Sequence, residues 1–253
     1  MNVGLYSGAA GMRVGQDYQD LLSENLSMQS IPGYKQALPV FSTDPQTVTS
    51  RAQMAGSGSP AAVRMNRVID FTQGSIQPSG DPYHVAIEGQ AFFQVREADG
   101  STTYTRNGSF ALSSKGELQT VDGAPVLGKS GSPITVNTSL GGAVTIGADG
   151  TLSINGTPQG SLGFAHFDNP SASLQPGPYG RYVAGNSSDA KSGLATNDHV
   201  LQGSLEQSNG NPVQEMANMI QAMRLYEANQ KSMQAVDNTQ NQLISSLGAR
   251  PQA

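Results

Sequence analysis

Apolar positions along this chain follow two periods. Near the N-terminus, Leu5, Ala9, Met12, Leu22 and Leu26 fall on steps of three, four or seven, which places them on one stripe of a helix. Gln16 and Gln19 interrupt that stripe with polar side chains. Gly4, Gly8, Gly11 and Gly15 crowd its first half. Each glycine costs about 1 kcal/mol relative to alanine in a helix interior, but lets another backbone approach closely. Pro32-Gly33 stops the helix, so residues 1–35 read as an N-terminal helix ending in a turn. Near the other end, Val213, Met216, Ile220, Met223, Met233, Val236, Leu243 and Leu247 trace a near-heptad stripe, broken by Gln230 and Gln240. Asn209 is the candidate N-cap and Pro212 suits the first turn. Gly248-Ala249-Arg250-Pro251 ends it, so residues 206–253 form the C-terminal helix and its tail.

Between the helices the period shortens. Residues 36–80 are polar and extended, with Pro39, Pro45, Pro60 and Pro78, and read as a linker with one or two strands. Arg67-Val68-Ile69-Asp70-Phe71 is the best strand candidate there. Residues 81–205 read as a β-rich body. Asp99-Gly100, Asn107-Gly108, Lys115-Gly116, Asp122-Gly123, Asp149-Gly150 and Asn155-Gly156 are turn dipeptides. They separate short runs such as Phe92-Phe93-Gln94-Val95, Thr103-Tyr104-Thr105, Phe110-Ala111-Leu112 and Val144-Thr145-Ile146. Residues 169–199 are rich in Pro, Gly, Ser and Asn and read as a long loop. The expected fold is α+β: an antiparallel body, sandwich or open barrel, with long terminal helices that pack together. The glycine-rich, polar-interrupted seams leave two readings open. The helices order in an assembly, or they form an ordinary hairpin against the body.

Composition narrows the function classes. With 14 Lys+Arg against 19 Asp+Glu, the net charge is −5, which argues against nucleic-acid binding and against a polybasic membrane surface. Charged residues are only 13%, so little like-charge repulsion opposes self-association. The absence of cysteine excludes disulfide scaffolds, thiolate metal sites and cysteine nucleophiles. No run of 18 apolar residues is present, so no direct membrane insertion is expected. Met1-Asn2-Val3-Gly4-Leu5-Tyr6 lacks the pattern of a cleaved signal peptide.

Candidate chemistry is sparse. Gly123-Ala124-Pro125-Val126-Leu127-Gly128-Lys129-Ser130 fits the phosphate-loop spacing, but Gly131-Ser132-Pro133 follows where a helix must begin. The match is read as chance. His84, His166 and His199 are too far apart in sequence to suggest a metal site. No serine sits in a nucleophile elbow, and Asp99, Asp122 and Asp149 each precede a turn glycine. Glu88 and Glu117 show no spacing that makes them a carboxylate pair, and Met216, Met219, Met223 and Met233 suit packing. No catalytic residue, metal or cofactor is expected.

One segment in the first helix and turn, Asn25-Leu26-Ser27-Met28-Gln29-Ser30-Ile31-Pro32-Gly33-Tyr34-Lys35, is followed in register by three more, Val85 to Val95, Tyr104 to Phe110 and Gln202 to Lys231. Together the four resemble the flagellar basal-body rod and hook family of axial proteins, and the first is similar to the family's N-L-A-N-x-x-T-x-G-F-K. Val85-Ala86-Ile87-Glu88-Gly89-Gln90-Ala91-Phe92-Phe93-Gln94-Val95 looks like D-V-A-I-x-G-x-G-F-F-x-V without its leading Asp, whose place His84 takes. Tyr104-Thr105-Arg106-Asn107-Gly108-Ser109-Phe110 resembles Y-T-R-x-G-x-F. The fourth runs from Gln202 through Glu206, Ser208, Asn209 and Val213, and continues through Met219-Ile220, Arg224-Leu225-Tyr226-Glu227-Ala228-Asn229 and Lys231. Met28, Ile31, Ala91 and Gly210 are further departures.

The resemblance implies a structural subunit without enzyme activity, exported through the flagellar type III apparatus without a cleaved signal. Its place would be the periplasmic rod of the basal body, and its partners itself and other axial proteins. Assembly residues are expected on the first helix and turn (Leu5, Met12, Gln16, Gln19, Leu22, Asn25, Leu26, Gly33, Tyr34). In the C-terminal segment they are Glu206, Ser208, Asn209, Val213, Met216, Met219, Ile220, Met223, Arg224, Tyr226, Glu227 and Met233. Val85, Ile87, Gly89, Phe92, Phe93, Tyr104, Arg106, Gly108 and Phe110 carry the body motif. Length, opening residues and the short linker lean toward the proximal-rod type, with the distal-rod type second. A soluble assembly or export factor is the competing class.

Overall fold

The computed structural model describes residues 3–43, 63–137, 141–185, 189–195 and 198–248, and within them not the side chains of residues 3–7, 43, 243, 244 and 246–248, which include Leu5, Leu243 and Leu247. The fold is α+β, mainly antiparallel strands with helices in the N- and C-terminal regions. The chain divides into two compact units. One comprises residues 1–27, 37–68 and 211–253; the other comprises residues 28–36 and 69–210.

The first unit holds the N-terminal helix Val3–Met28, the C-terminal helix Pro212–Gly248 and the paired strands Ala37–Thr43 and Val63–Ile69. The strand expected at Arg67–Phe71 therefore starts and ends earlier, because Asp70 turns its carboxylate back to accept from the Thr72 N–H at 3.0 Å and ends the extended run. The C-terminal helix starts at Pro212 rather than near residue 206. Asn211 supplies the cap: its Oδ1 accepts from the N–H groups of Val213 at 3.1 Å and Gln214 at 3.4 Å. Asn209, the expected cap, is bonded elsewhere.

The two helices run antiparallel. A Cβ built on Gly8 would lie 2.8 Å from Met233 Cγ, one on Gly11 3.4 Å from Asn229 Nδ2, and one on Gly15 3.9 Å from Tyr226 Cδ2. The glycines thus form the face on which the C-terminal helix rests. Further along, the Asn25 side chain is hydrogen-bonded to the Glu215 carboxyl. The expected apolar stripe of the C-terminal helix splits between Met223 and Met233. Met233 packs inward against Gly8, while Val213, Met216, Ile220 and Met223 are 70%, 47%, 53% and 50% exposed.

In the second unit a six-stranded antiparallel sheet runs in the order Leu174–Pro176, Tyr182–Ala184, Thr102–Thr105, Phe92–Arg96, Phe164–His166, Lys191–Ser192. Adjacent residues of a strand point to opposite faces, so Phe92 and Phe93 enter different cores. Phe93 packs with Val85, Ile87, Phe110, Leu118, Val126 and the three-stranded sheet Val144–Ile146, Thr151–Ile154, Thr157–Ser161. Phe92 packs with Ile69, Tyr104, Phe167, Leu174 and Tyr182. Short pairs complete the unit: Val85–Glu88 with His199–Gln202, Ile76–Pro78 with Ser204–Glu206, and Phe110–Leu112 with Leu118–Thr120.

The segment 169–199, expected as a loop, contributes a helical turn, Pro170–Ser173, and three of those sheet strands. They are two or three residues long and gain their order from partners distant in sequence, as Tyr182 does opposite Tyr104. The false phosphate loop is core: Val126 and Leu127 are buried, and Gly128 and Leu127 form bridges rather than a helix start.

Candidate functional site

Two features stand out, one in each unit. The first is a buried charged junction in the strand-rich unit. The turn after the N-terminal helix positions Tyr34 and Lys35, the strand Ser204–Glu206 positions Glu206, and the end of Thr102–Thr105 positions Arg106. Gly33 makes the first of these possible. Its φ is +69°, and a Cβ there would overlap the backbone of Arg106 and Asn107. Its N–H donates to the Glu206 carbonyl at 2.7 Å.

Lys35 and Glu206 have fully buried side chains, with Nζ 2.5 Å from Oε1. Lys35 Nζ also donates to the Thr72 carbonyl at 2.7 Å, and Glu206 Oε1 accepts from the Gly74 N–H at 2.9 Å. Glu206 Oε2 faces Arg106 Nη1 at 3.4 Å. Arg106 donates to the Gly89 carbonyl at 2.6 Å through Nη2 and lies 4.9 Å from the centre of the Phe92 ring. Burial pushes the Lys35 ammonium and the Arg106 guanidinium below their usual ranges, and the Glu206 carboxylate opposes both shifts. Tyr182, whose hydroxyl accepts from the Lys35 N–H at 3.2 Å, has its pKa raised, chiefly by burial.

Asn209 closes the junction. Its Oδ1 accepts from the Gln36 N–H at 2.9 Å, and its Nδ2 donates to the carbonyls of Asp70 at 2.8 Å and Thr72 at 3.2 Å. Ser208 Oγ accepts from the Gly210 N–H at 3.2 Å, and Gln29 Nε2 donates to the Gly210 carbonyl at 2.8 Å. The first, second, third and fourth sequence motifs therefore converge here. The arrangement pairs its charges with opposite charges and most of its donors with acceptors, while Arg106 Nε is buried without a hydrogen-bond partner. It is a clasp, with no nucleophile paired to a base.

The remaining motif residues frame it. Val85, Ile87, Phe92, Phe93, Tyr104 and Phe110 are buried, and the Gly108 carbonyl accepts from the Val85 N–H at 3.0 Å. Lys35, Tyr182 and the partners of Asn209 escape a reading by residue type, because nothing in the sequence marks a lysine that will be buried. A second such cation is Arg181, held by Glu97 at 2.6 Å, by Asp122 and by Thr120 Oγ1 at 3.1 Å. Asp99 and Asp149 do form the expected turns, accepting from the N–H groups of Ser101 at 2.8 Å and Thr151 at 3.0 Å. Asp122 also lies in its expected turn, where the Gly123 N–H donates to the Thr120 carbonyl at 2.9 Å, and its side chain serves Arg181; burial pushes its carboxyl up, but the hydrogen bonds from Arg181 and Thr120 outweigh that and hold it below the usual range. His84 lies between Ser79 Oγ at 2.9 Å and Ser109 Oγ at 3.3 Å, and His199 sits opposite Glu88 in a strand pair.

The second feature is the exposed helical stripe Val213, Met216, Ile220 and Met223. Arg224 and Glu227 are also exposed, whereas Met219, Tyr226 and Met233 are half-buried. On the N-terminal helix Leu22 and Asn25 are buried, Met12 and Gln19 half-buried, and Gln16 and Leu26 exposed. Asn25 brackets the next strand, donating to the Ala37 carbonyl at 2.9 Å and accepting from its N–H at 3.0 Å. Sequence periodicity missed the buried Leu21 on the N-terminal helix, and it missed the buried Glu215 and Ala222 because the inward face of the C-terminal helix is small and polar rather than apolar.

Residues 86–154 match the family model described as "Flagellar hook protein FlgE/F/G D1 domain", and residues 201–246 match "Flagellar basal body rod FlgEFG protein C-terminal". The flagellar basal-body rod protein FlgF of Caulobacter vibrioides is 30% identical over 98% of this chain and 99% of its own length. The rod protein FlgG of Buchnera aphidicola subsp. Schizaphis graminum is 33% identical over 96% of this chain and 97% of its own. FlgF of Salmonella typhimurium is 31% identical over 94% and 96%.

Proposed function

This chain belongs to the flagellar basal-body rod protein family, and on that premise we propose that it is a proximal-rod subunit that polymerises through its terminal helices. The family is structural rather than enzymatic, and its members are components of the flagellum that assemble with other axial proteins. The observation that carries the polymerisation is the exposed stripe Val213, Met216, Ile220 and Met223. It lies on a helix whose other face already rests on the N-terminal helix. An apolar stripe left open after the intrachain seam is made is a surface for a neighbouring subunit.

The proximal assignment rests on the opening Met1-Asn2-Val3-Gly4-Leu5-Tyr6 and on the short linker. Relatives of both the FlgF and the FlgG type match at comparable identity. Export through the type III apparatus and a periplasmic position in the rod follow from the same reading. Quantitative mass spectrometry of purified hook–basal bodies tests it. A small fixed number of copies, below that of the distal-rod subunit in the same preparation, supports the proximal assignment. Copies matching the distal-rod subunit overturn it, and enrichment in the cytosol with none in the basal body replaces the rod subunit with a soluble assembly factor.

A further inference from the structure

Among the described residues, Met12, Met28, Met65, Met219 and Met233 are half-buried, and only Met216 and Met223 are exposed methionines. These two are seven residues apart, two turns of helix, and both lie on the open stripe with Val213 and Ile220. By contrast, Met233 is turned toward Gly8 inside the helix pair. The thioethers with the best access to small oxidants are therefore the two on the surface assigned to subunit contact. The exposed Glu227 continues the same face one turn beyond Met223, and between Val213 and Met223 contact on the stripe depends on apolar burial.

We propose that Met216 and Met223 form an oxidation-sensitive modification site that controls whether the free subunit can assemble. This rests on the polymerising reading above. The oxidant is a hydroperoxide. The methionine sulfur attacks one peroxide oxygen, an S–O bond forms and the O–O bond breaks. Sulfur is oxidised by two electrons, and hydrogen peroxide is reduced to one water with no net proton change. The product sulfoxide is polar and accepts hydrogen bonds. Burying it in a stripe flanked by Val213 and Ile220 leaves that oxygen without a donor. Each sulfoxide then raises the protein concentration needed for assembly by about tenfold or more. A sulfoxide reductase reverses the change, and assembly buries the two sulfurs, so an incorporated subunit resists the oxidant that blocks a free one.

The test treats the full-length chain with hydrogen peroxide, maps sulfoxides by peptide mass spectrometry, and measures sedimentation of treated and untreated protein. The expected result is sulfoxide at Met216 and Met223 before Met233, and loss of sedimenting material that sulfoxide reductase restores. In the double variant Met216→Leu, Met223→Leu, peroxide no longer changes the amount of protein that sediments. Oxidation of Met233 as fast as Met216, or unchanged sedimentation of oxidised protein, overturns the site. If untreated protein fails to sediment, the polymerisation reading falls instead and takes the consequence for assembly with it. A measurement in cells is independent of sedimentation. Met216→Gln with Met223→Gln, which carries a permanent polar group, is incorporated into hook–basal bodies less than the double Leu variant; equal incorporation of both overturns the inference.

Discussion

Glu206 is the residue on which the strand-rich unit converges. Its carboxylate neutralises two buried cations, Lys35 at 2.5 Å and Arg106 at 3.4 Å. A buried ion pair adds little net stability compared with apolar packing, but removing one member leaves an uncompensated charge. Glu206→Gln therefore costs about 3–5 kcal/mol in urea unfolding of the full chain. The double variant Glu206→Gln, Lys35→Met costs less than the sum of the two single changes, because the unpaired ammonium goes with the carboxylate. Additive losses in that cycle would show that the pair is not coupled. The motif residues Gly33, Arg106 and Glu206 were legible as a set in the sequence, yet their meeting was not. Lys35 and Tyr182 join through main-chain and long-range contacts that no local spacing encodes.

At the scale of the element, the C-terminal helix depends on two details of its first turn. Asn211 caps it, so Asn211→Ala lowers stability by about 1 kcal/mol, seen as reduced helical content on heating. Asn209→Ala leaves the helix start intact and instead loosens the clasp, because its bonds run to Gln36, Asp70 and Thr72. The second detail is Glu215, buried in the helix pair with Asn25 and Tyr18 facing it. Burial raises its pKa above the ordinary 4.5, and the Asn25 hydrogen bond only partly opposes this. The folded carboxyl thus keeps its proton to a higher pH than the unfolded one. Its contribution to stability is full below the ordinary value and is lost as pH rises through the raised one. Lowering the pH from neutral toward the ordinary glutamate range raises the melting temperature of the wild type relative to Glu215→Gln, and a constant difference across that range would contradict this.

The helices themselves were legible from a 3.6-residue period, as were strands such as Val144–Ile146 from their flanking turns. The intrachain seam was not, since glycines on one helix and Glu215, Ala222, Tyr226 and Asn229 on the other carry no apolar signature. The strands between residues 174 and 192 were hidden for a related reason. Each is so short that its order comes from the sheet rather than from its own composition.

For the whole molecule, the two units divide the work. The strand-rich unit has two apolar cores and closes around its own clasp. The helical unit satisfies one seam internally and leaves a second open. Such a division suits a subunit whose ends meet neighbours while its body keeps its shape. Substitution on the open stripe should therefore separate assembly from folding. The most direct measurement is the incorporation of an Ile220→Asp variant into hook–basal bodies in place of the wild type, beside the melting temperature of the purified full-length chain. The account expects incorporation to be abolished while the melting temperature stays within a few degrees of wild type, because Ile220 is 53% exposed in the free chain. Normal incorporation of the variant would contradict the claim that this stripe is the contact through which the subunit enters the rod.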